Sequence, residues 1–79
     1  MQNFTELSNV AGYANSNAMN LQASIASEQG AIDMYGQYAP QAQQAGNTSL
    51  ASTFRSIMGD EQGHHQTFST ELQQLNGAP

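Results

Sequence analysis

Three side chains in this sequence have the types and spacing of metal ligands: Glu28, Glu61 and His64. Glu61 and His64 stand at i and i+3 in Glu61-Gln62-Gly63-His64, a spacing that puts both on one face of a helix. A carboxylate and an imidazole so placed can coordinate one ion between them. Glu28 falls in the middle of an otherwise apolar series, Leu21, Ile25, Glu28, Ile32, Tyr35, Ala39 and Ala42, whose steps alternate between four and three. Glu61 and His64 interrupt a second series, Leu50, Phe54, Ile57, Glu61, His64, Phe68, Leu72 and Leu75. A carboxylate on an apolar seam is costly unless it is paired or bound to a metal. Apart from two histidines the only basic side chain is Arg55, which lies off both stripes and cannot neutralise all of them.

The elements that must position these residues are helices. Proline occurs only at Pro40 and Pro79, β-branched residues are scattered, and no segment alternates with period two, so strands are not expected. Helices are expected over about 18–45 and 48–75, with Asn17 as a candidate N-cap for the first. Gly46 suits the left-handed position that ends a helix, and Asn47 or Thr48 can cap the next one. Pro40 should kink the first helix near residues 36–40. Residues 1–16, with Phe4, Leu7, Val10 and Ala14 on one stripe, read as a separate short helix or arm. Gly12 and the run Asn15-Ser16-Asn17 are expected to limit it to about three turns.

The result is an all-α, antiparallel two-helix hairpin over residues 17–76. Its three chemical residues lie at nearly one height. Glu28 falls about five helical turns before Gly46, Glu61 about four turns after it and His64 about five. At about 1.5 Å per residue all three stand some 22–27 Å from the turn. One hairpin has two apolar stripes and no third wall, so pairing with a second copy into a ferritin-like four-helix bundle is the expected completion. The homodimer then holds two lone glutamates and two Glu-x-x-His pairs, the ligand set of di-iron and di-manganese carboxylate bundles. Sulfur-free, carboxylate-rich ligation suits iron or manganese, with zinc as a substitute.

Length and composition agree with that plan. A domain of 79 residues buries only roughly 60–65% of its unfolded surface and usually needs disulfides, a metal or a partner. With no cysteine, disulfides, thiolate zinc sites, iron–sulfur ligation and thiol catalysis are excluded. The chain is 38% apolar and 9% charged, with a net charge of −5, and therefore lacks the basic patch that nucleic acid or an anionic membrane surface requires. The opening MQNFTELSNV has neither the positive nor the apolar region of a signal peptide, and no run approaches the roughly 20 apolar residues of a membrane span. A cytoplasmic location is expected.

Over roughly residues 18–76 the sequence resembles the di-iron domain of rubrerythrin and related ferritin-like proteins. The resemblance is carried by Asn20-Leu21, Glu28 with Ala31 and Tyr35, Tyr38-Ala39, Ala42 before Gly46, Leu50-Ala51, Phe54-Arg55, and Asp60-Glu61-Gln62-Gly63-His64 with Phe68. It implies that Glu28, Glu61 and His64 are catalytic metal ligands from one half of a bundle. Full rubrerythrins carry four helices in one chain and often a cysteine-ligated rubredoxin domain; this sequence has one hairpin and no cysteine. In plan it is similar to encapsulated ferritins, where two half-bundles create a ferroxidase centre at a dimer interface. The implied activity is oxidation of Fe(II) by dioxygen or hydrogen peroxide at two irons per dimer. The electron donor and any higher oligomer are left open, and an iron storage or delivery module without sustained turnover is the alternative. A hairpin with no metal at all is the third reading.

The supporting residues have expected places. Tyr35, two turns after Glu28, either hydrogen-bonds a ligand carboxylate or is a core tyrosine. Asp60 either accepts the free N–H of a ligating histidine or lies on the helix flank. His65 is expected at a surface or interface and Tyr38 in packing. Glu6, Asp33 and Glu71 should face solvent, and Met19, Met34 and Met58 should fill core gaps.

Overall fold

The heptad-like spacing becomes two helices. The computed structural model describes residues 4–77, in which α1 spans Phe4–Gln44 and α2 spans Thr48–Gly77 with no strand among them. The two run antiparallel as a single layer, and the molecule measures 66 × 20 × 14 Å. Its least dimension is little more than the diameter of one helix with its side chains, about 10–12 Å. Such a layer has almost no inside. Among the described residues only Ala39, Ala42 and Ala51, beside the turn, are buried.

The turn follows from local chemistry. Gly46 has φ 82° and is the only described residue with a positive φ. Its N–H donates to the Gln43 carbonyl at 3.0 Å, and the Asn47 N–H donates to the Ala42 carbonyl at 2.9 Å. This pair of bonds ties off carbonyls that the end of α1 leaves open. Asn47 then caps α2: its side-chain oxygen accepts the Leu50 N–H at 3.0 Å, and its carbonyl accepts the Ala51 N–H at 3.0 Å. Pro40 lies inside α1, which continues past it by one turn to Gln44.

One boundary differs from the sequence reading. Residues 4–16 are neither an arm nor a separate short helix, because α1 begins at Phe4 and runs on through Gly12 and Asn15-Ser16-Asn17. Asn17 is therefore an exposed interior residue rather than a cap. Gly and Asn lower helix propensity by about 0.5–1 kcal/mol each, which weakens a helix but does not forbid its backbone angles. Extending an existing helix also needs no new nucleus. Residues 1–3 and 78–79 lie outside the described structure, as do the side chains of Phe4, Glu6, Leu7, Val10 and Ala14, so the stripe and exposure expected of them find no counterpart here.

Unequal helix lengths leave α1 overhanging. Gly77 lies about 46 Å along α2 from the turn, so α2 reaches back only to the level of Asn15 or so on α1. Beyond that level α1 extends alone to Phe4, a stretch of about 16 Å. An isolated helix so short is marginal in water.

The exposed apolar side chains are not scattered. At about 100° per residue, Tyr13, Met34 and Tyr38 of α1 and Leu50 and Leu75 of α2 fall on the same broad face of the layer, with exposures of 72, 38, 40, 41 and 48%. Gln29, Asp33, Gln43, Arg55 and Gln62 occupy the opposite face, where Gln29 donates to Asp33 at 3.0 Å and Arg55 to Gln43 at 3.5 Å. Met19 is 67% exposed and Met34 38%, so neither fills the core as expected: Met19 projects from the outer edge of α1, and Met34 from its apolar flank. Met58 does pack inward, its Sδ 3.8 Å from the position a Cβ on Gly36 would take.

The turn makes a direct stability prediction. Asn47→Ala should cost about 1 kcal/mol through loss of the cap, and Gly46→Ala about 1–2 kcal/mol through the left-handed backbone. Urea unfolding at one fixed protein concentration measures both. Unchanged midpoints would show that these bonds do not hold the hairpin closed.

Candidate metal centre

The middle of the hairpin is built from opposite turns of the two helices. Glu28 on α1 meets Glu61 and His64 on α2, and one donor atom from each lies within 4.8 Å of the others. His64 Nδ1 stands 3.7 Å from Glu28 Oε1 and 3.9 Å from Glu61 Oε2. Both distances are too long for hydrogen bonds. They do match donors that share an ion: with bonds of about 2.0–2.2 Å, neighbouring ligands stand roughly 3–4 Å apart.

Burial sharpens the point. The Glu28 side chain is 18% exposed and that of Glu61 22%. Glu28 Oε2 is fully buried and has no hydrogen-bond partner. Leaving a buried acceptor unpaired costs about 1–3 kcal/mol, and more for a charged group. No fixed positive side chain is at hand, since Arg55 is exposed on the polar face and donates to Gln43. An orphaned carboxylate oxygen beside a second carboxylate and an imidazole is a donor set that fits a divalent cation. Among the described residues no other group of metal-binding side chains comes together.

The histidines fall differently from the sequence reading. His64, expected on the buried seam, has a side chain 58% exposed. His65, its neighbour, is half-buried. Position 65 lies closer to the direction of α1, whereas position 64 lies on the flank belonging to the apolar face. Glu28 and Glu61 thus close the site from within the hairpin, and His64 approaches from its open side.

Tyr35 is half-buried, and its ring stacks on Phe54 at a centroid distance of 5.8 Å. Tyr38 joins both, 6.1 Å from Tyr35 and 5.6 Å from Phe54, which is the packing expected of it. The sequence held the signal for this trio: Tyr38 and Phe54 are equidistant from Gly46 on its two sides, hence at one level. Asp60, Asp33 and Glu71 are exposed. Asp60 lies on the same flank of α2 as His64 and has no side-chain hydrogen bond among the described residues.

An all-helical hairpin with a carboxylate–histidine cluster at its centre presents a donor set of the kind that holds metal ions in helical carboxylate proteins. A family model described as Rubrerythrin matches residues 19–79. The chain belongs to the rubrerythrin family, whose domain is a helical bundle and whose members typically bind iron. No curated protein and no solved structure gives a significant match. No described helix is long and apolar enough to cross a membrane.

The orphaned carboxylate makes its own prediction. In metal-free protein, Glu28→Leu should raise the melting temperature by removing a desolvated charge. Added ferrous or zinc ion should then stabilise the wild type and not the variant, through binding linkage. A melting scan with and without chelator measures both; equal metal response in the two proteins would remove Glu28 from the site.

Proposed function

We propose that the chain is one half of a di-iron carboxylate centre, completed by a second copy, that oxidises Fe(II) with dioxygen or hydrogen peroxide. The observation that carries this reading is the Glu28–Glu61–His64 cluster with the buried, unpartnered Glu28 oxygen. Family membership supports iron as the metal. Three donors are too few for two ions, and a two-fold axis through the cluster level doubles the set to two lone glutamates and two Glu-x-x-His pairs.

In this reading the chain's own groups have separate tasks. Glu28 and Glu61 would supply the negative charge that offsets the cations, and their half-buried placement limits the water that competes for the same oxygens. His64 would supply an imidazole nitrogen to the metal from the side that faces the second copy. Its exposure in one hairpin becomes burial in two. When bound, an iron pair supplies two one-electron changes, matching the two-electron reduction of peroxide. Asp60 is a positioning residue that accepts the free ring N–H of His64 of the partner subunit. Tyr35, anchored by Phe54, stands about two turns along α1 from Glu28 and would offer an oxidisable phenol on the same seam. The acids Asp33 and Glu71, with a net charge of −5, favour cation approach.

Anaerobic Fe(II) titration should find two irons per dimer in the wild type. Paired binding should be abolished in Glu61→Ala and in His64→Ala; retention of both irons in either variant would falsify the ligand assignment. Hydrogen peroxide with excess reductant separates an enzyme from a storage or delivery module. Sustained consumption over many equivalents of protein is expected, whereas a single stoichiometric phase would assign the chain to storage.

A further inference from the structure

The stretch of α2 that carries two of the three donors has little to hold it. Residues 59–67, Gly59-Asp60-Glu61-Gln62-Gly63-His64-His65-Gln66-Thr67, include no Ala, Val, Ile, Leu, Met, Phe or Tyr. Within it only Glu61 and His65 are half-buried. Ile57 and Met58 before it and Phe68 after it are half-buried as well, and these apolar side chains anchor the seam at either end. A helix in a folded protein is held mainly by packing of its apolar face. Few buried apolar contacts are the mark of a segment that opens locally.

Glycine weakens the same stretch further. Gly46 is called for by its positive φ, Gly36 stands beside Met58, Gly12 lies on the overhang and Gly77 ends α2. Gly30, Gly59 and Gly63 have none of these reasons. Each is exposed, none has a positive φ, and a Cβ on any of them would meet nothing within 4 Å. All three lie within two residues of a donor: Gly30 after Glu28, and Gly59 and Gly63 on either side of Glu61. In a helix interior each glycine favours the open form about fivefold over alanine. The Gly63 carbonyl also accepts the Thr67 hydroxyl at 3.0 Å, a back-bond that loosens and bends a helix slightly.

Taking the Glu28–Glu61–His64 cluster as the ion site proposed above, we infer that α2 opens locally over residues 59–67 in the metal-free protein, and that ions enter and leave through this opening. The two half-buried carboxylates close the site from within the hairpin. An ion reaches the buried Glu28 oxygen when the turn bearing Glu61 and His64 moves away. Binding reverses the opening. An ion shared by Glu61 and His64 clamps one turn of α2, and its bond to Glu28 fastens that turn to α1. The closed form remains the major one, so a rarer opening leaves the affinity for the ion almost unchanged. What it changes is the speed of exchange, inward and outward alike.

Zinc(II) alone probes this device without redox chemistry. The double variant Gly59→Ala with Gly63→Ala is compared with wild type and with Ser52→Ala, an exposed gain of helix propensity about two turns before Gly59. Hydrogen exchange at one fixed protein concentration, read by mass spectrometry, should be roughly 25-fold slower over residues 59–67 in the metal-free double variant. Zinc should slow the same residues in wild type, and Ser52→Ala should leave them as they are. Zinc association, followed by stopped flow with an indicator, and zinc release into excess chelator should both slow by a similar factor, with the dissociation constant unchanged. Unaltered zinc rates in the double variant overturn the proposal. So does exchange over 59–67 that neither zinc nor the alanines slow. A wild-type assembly that the double variant loses also overturns it, by assigning the glycines to a contact between copies. Tight zinc binding with unaltered rates removes the gate alone, whereas a wild type that binds no zinc removes the metal centre with it.

Discussion

A carboxylate oxygen without a partner, held out of water in a seam of alanine, isoleucine and aromatic side chains, is the constraint around which this molecule is arranged. Glu28 Oε2 has no donor, and the single arginine is committed to the opposite face. An unpartnered buried acceptor is costly, and a bound cation would satisfy it. Glu61 and His64 bring one carboxylate oxygen and one imidazole nitrogen to the same place, with spacings suited to an ion rather than to each other. The rest of the hairpin holds two helices in the register that makes this meeting happen. That register is set at the turn, where Gly46 closes α1 and Asn47 opens α2.

The single-layer geometry explains why the hairpin has so little core. Two helices in one layer bury only three alanines among the described residues, and these lie beside the turn. Farther out, the seam is half-covered, and one broad face carries the larger apolar side chains while the other carries glutamines, Asp33 and Arg55. A layer with such asymmetry is suited to cover from one side. His64 belongs to the apolar face, so the donor cluster opens onto the side that carries the larger exposed apolar residues.

Much of this was legible in the residues. The four-and-three spacing specified helices, Gly46 with Asn47 specified the turn, and near-equal distances from Gly46 placed Glu28, Glu61 and His64 at one height. The length of α1 was not legible. Gly12 and Asn15-Ser16-Asn17 read as a break because propensity is judged window by window, whereas a helix already nucleated extends through weak formers at modest cost. The two adjacent histidines were also hard to separate, since one position of helical phase decides between the seam and the flank.

Whatever depends on near neighbours was written into the order of residues: helical period, turn conformation, the Asn47 cap, and the depth of each polar residue along the hairpin. These follow from backbone geometry over a short stretch and need no knowledge of the rest. How the two helices are rotated about their own axes emerged only once they were packed together. That rotation buried Glu28 Oε2, turned His64 outward and His65 inward, stacked Tyr35 on Phe54, and left Met19, Met34, Leu50 and Leu75 exposed. It is the joint outcome of every contact along the seam, so no local stretch of residues encodes it.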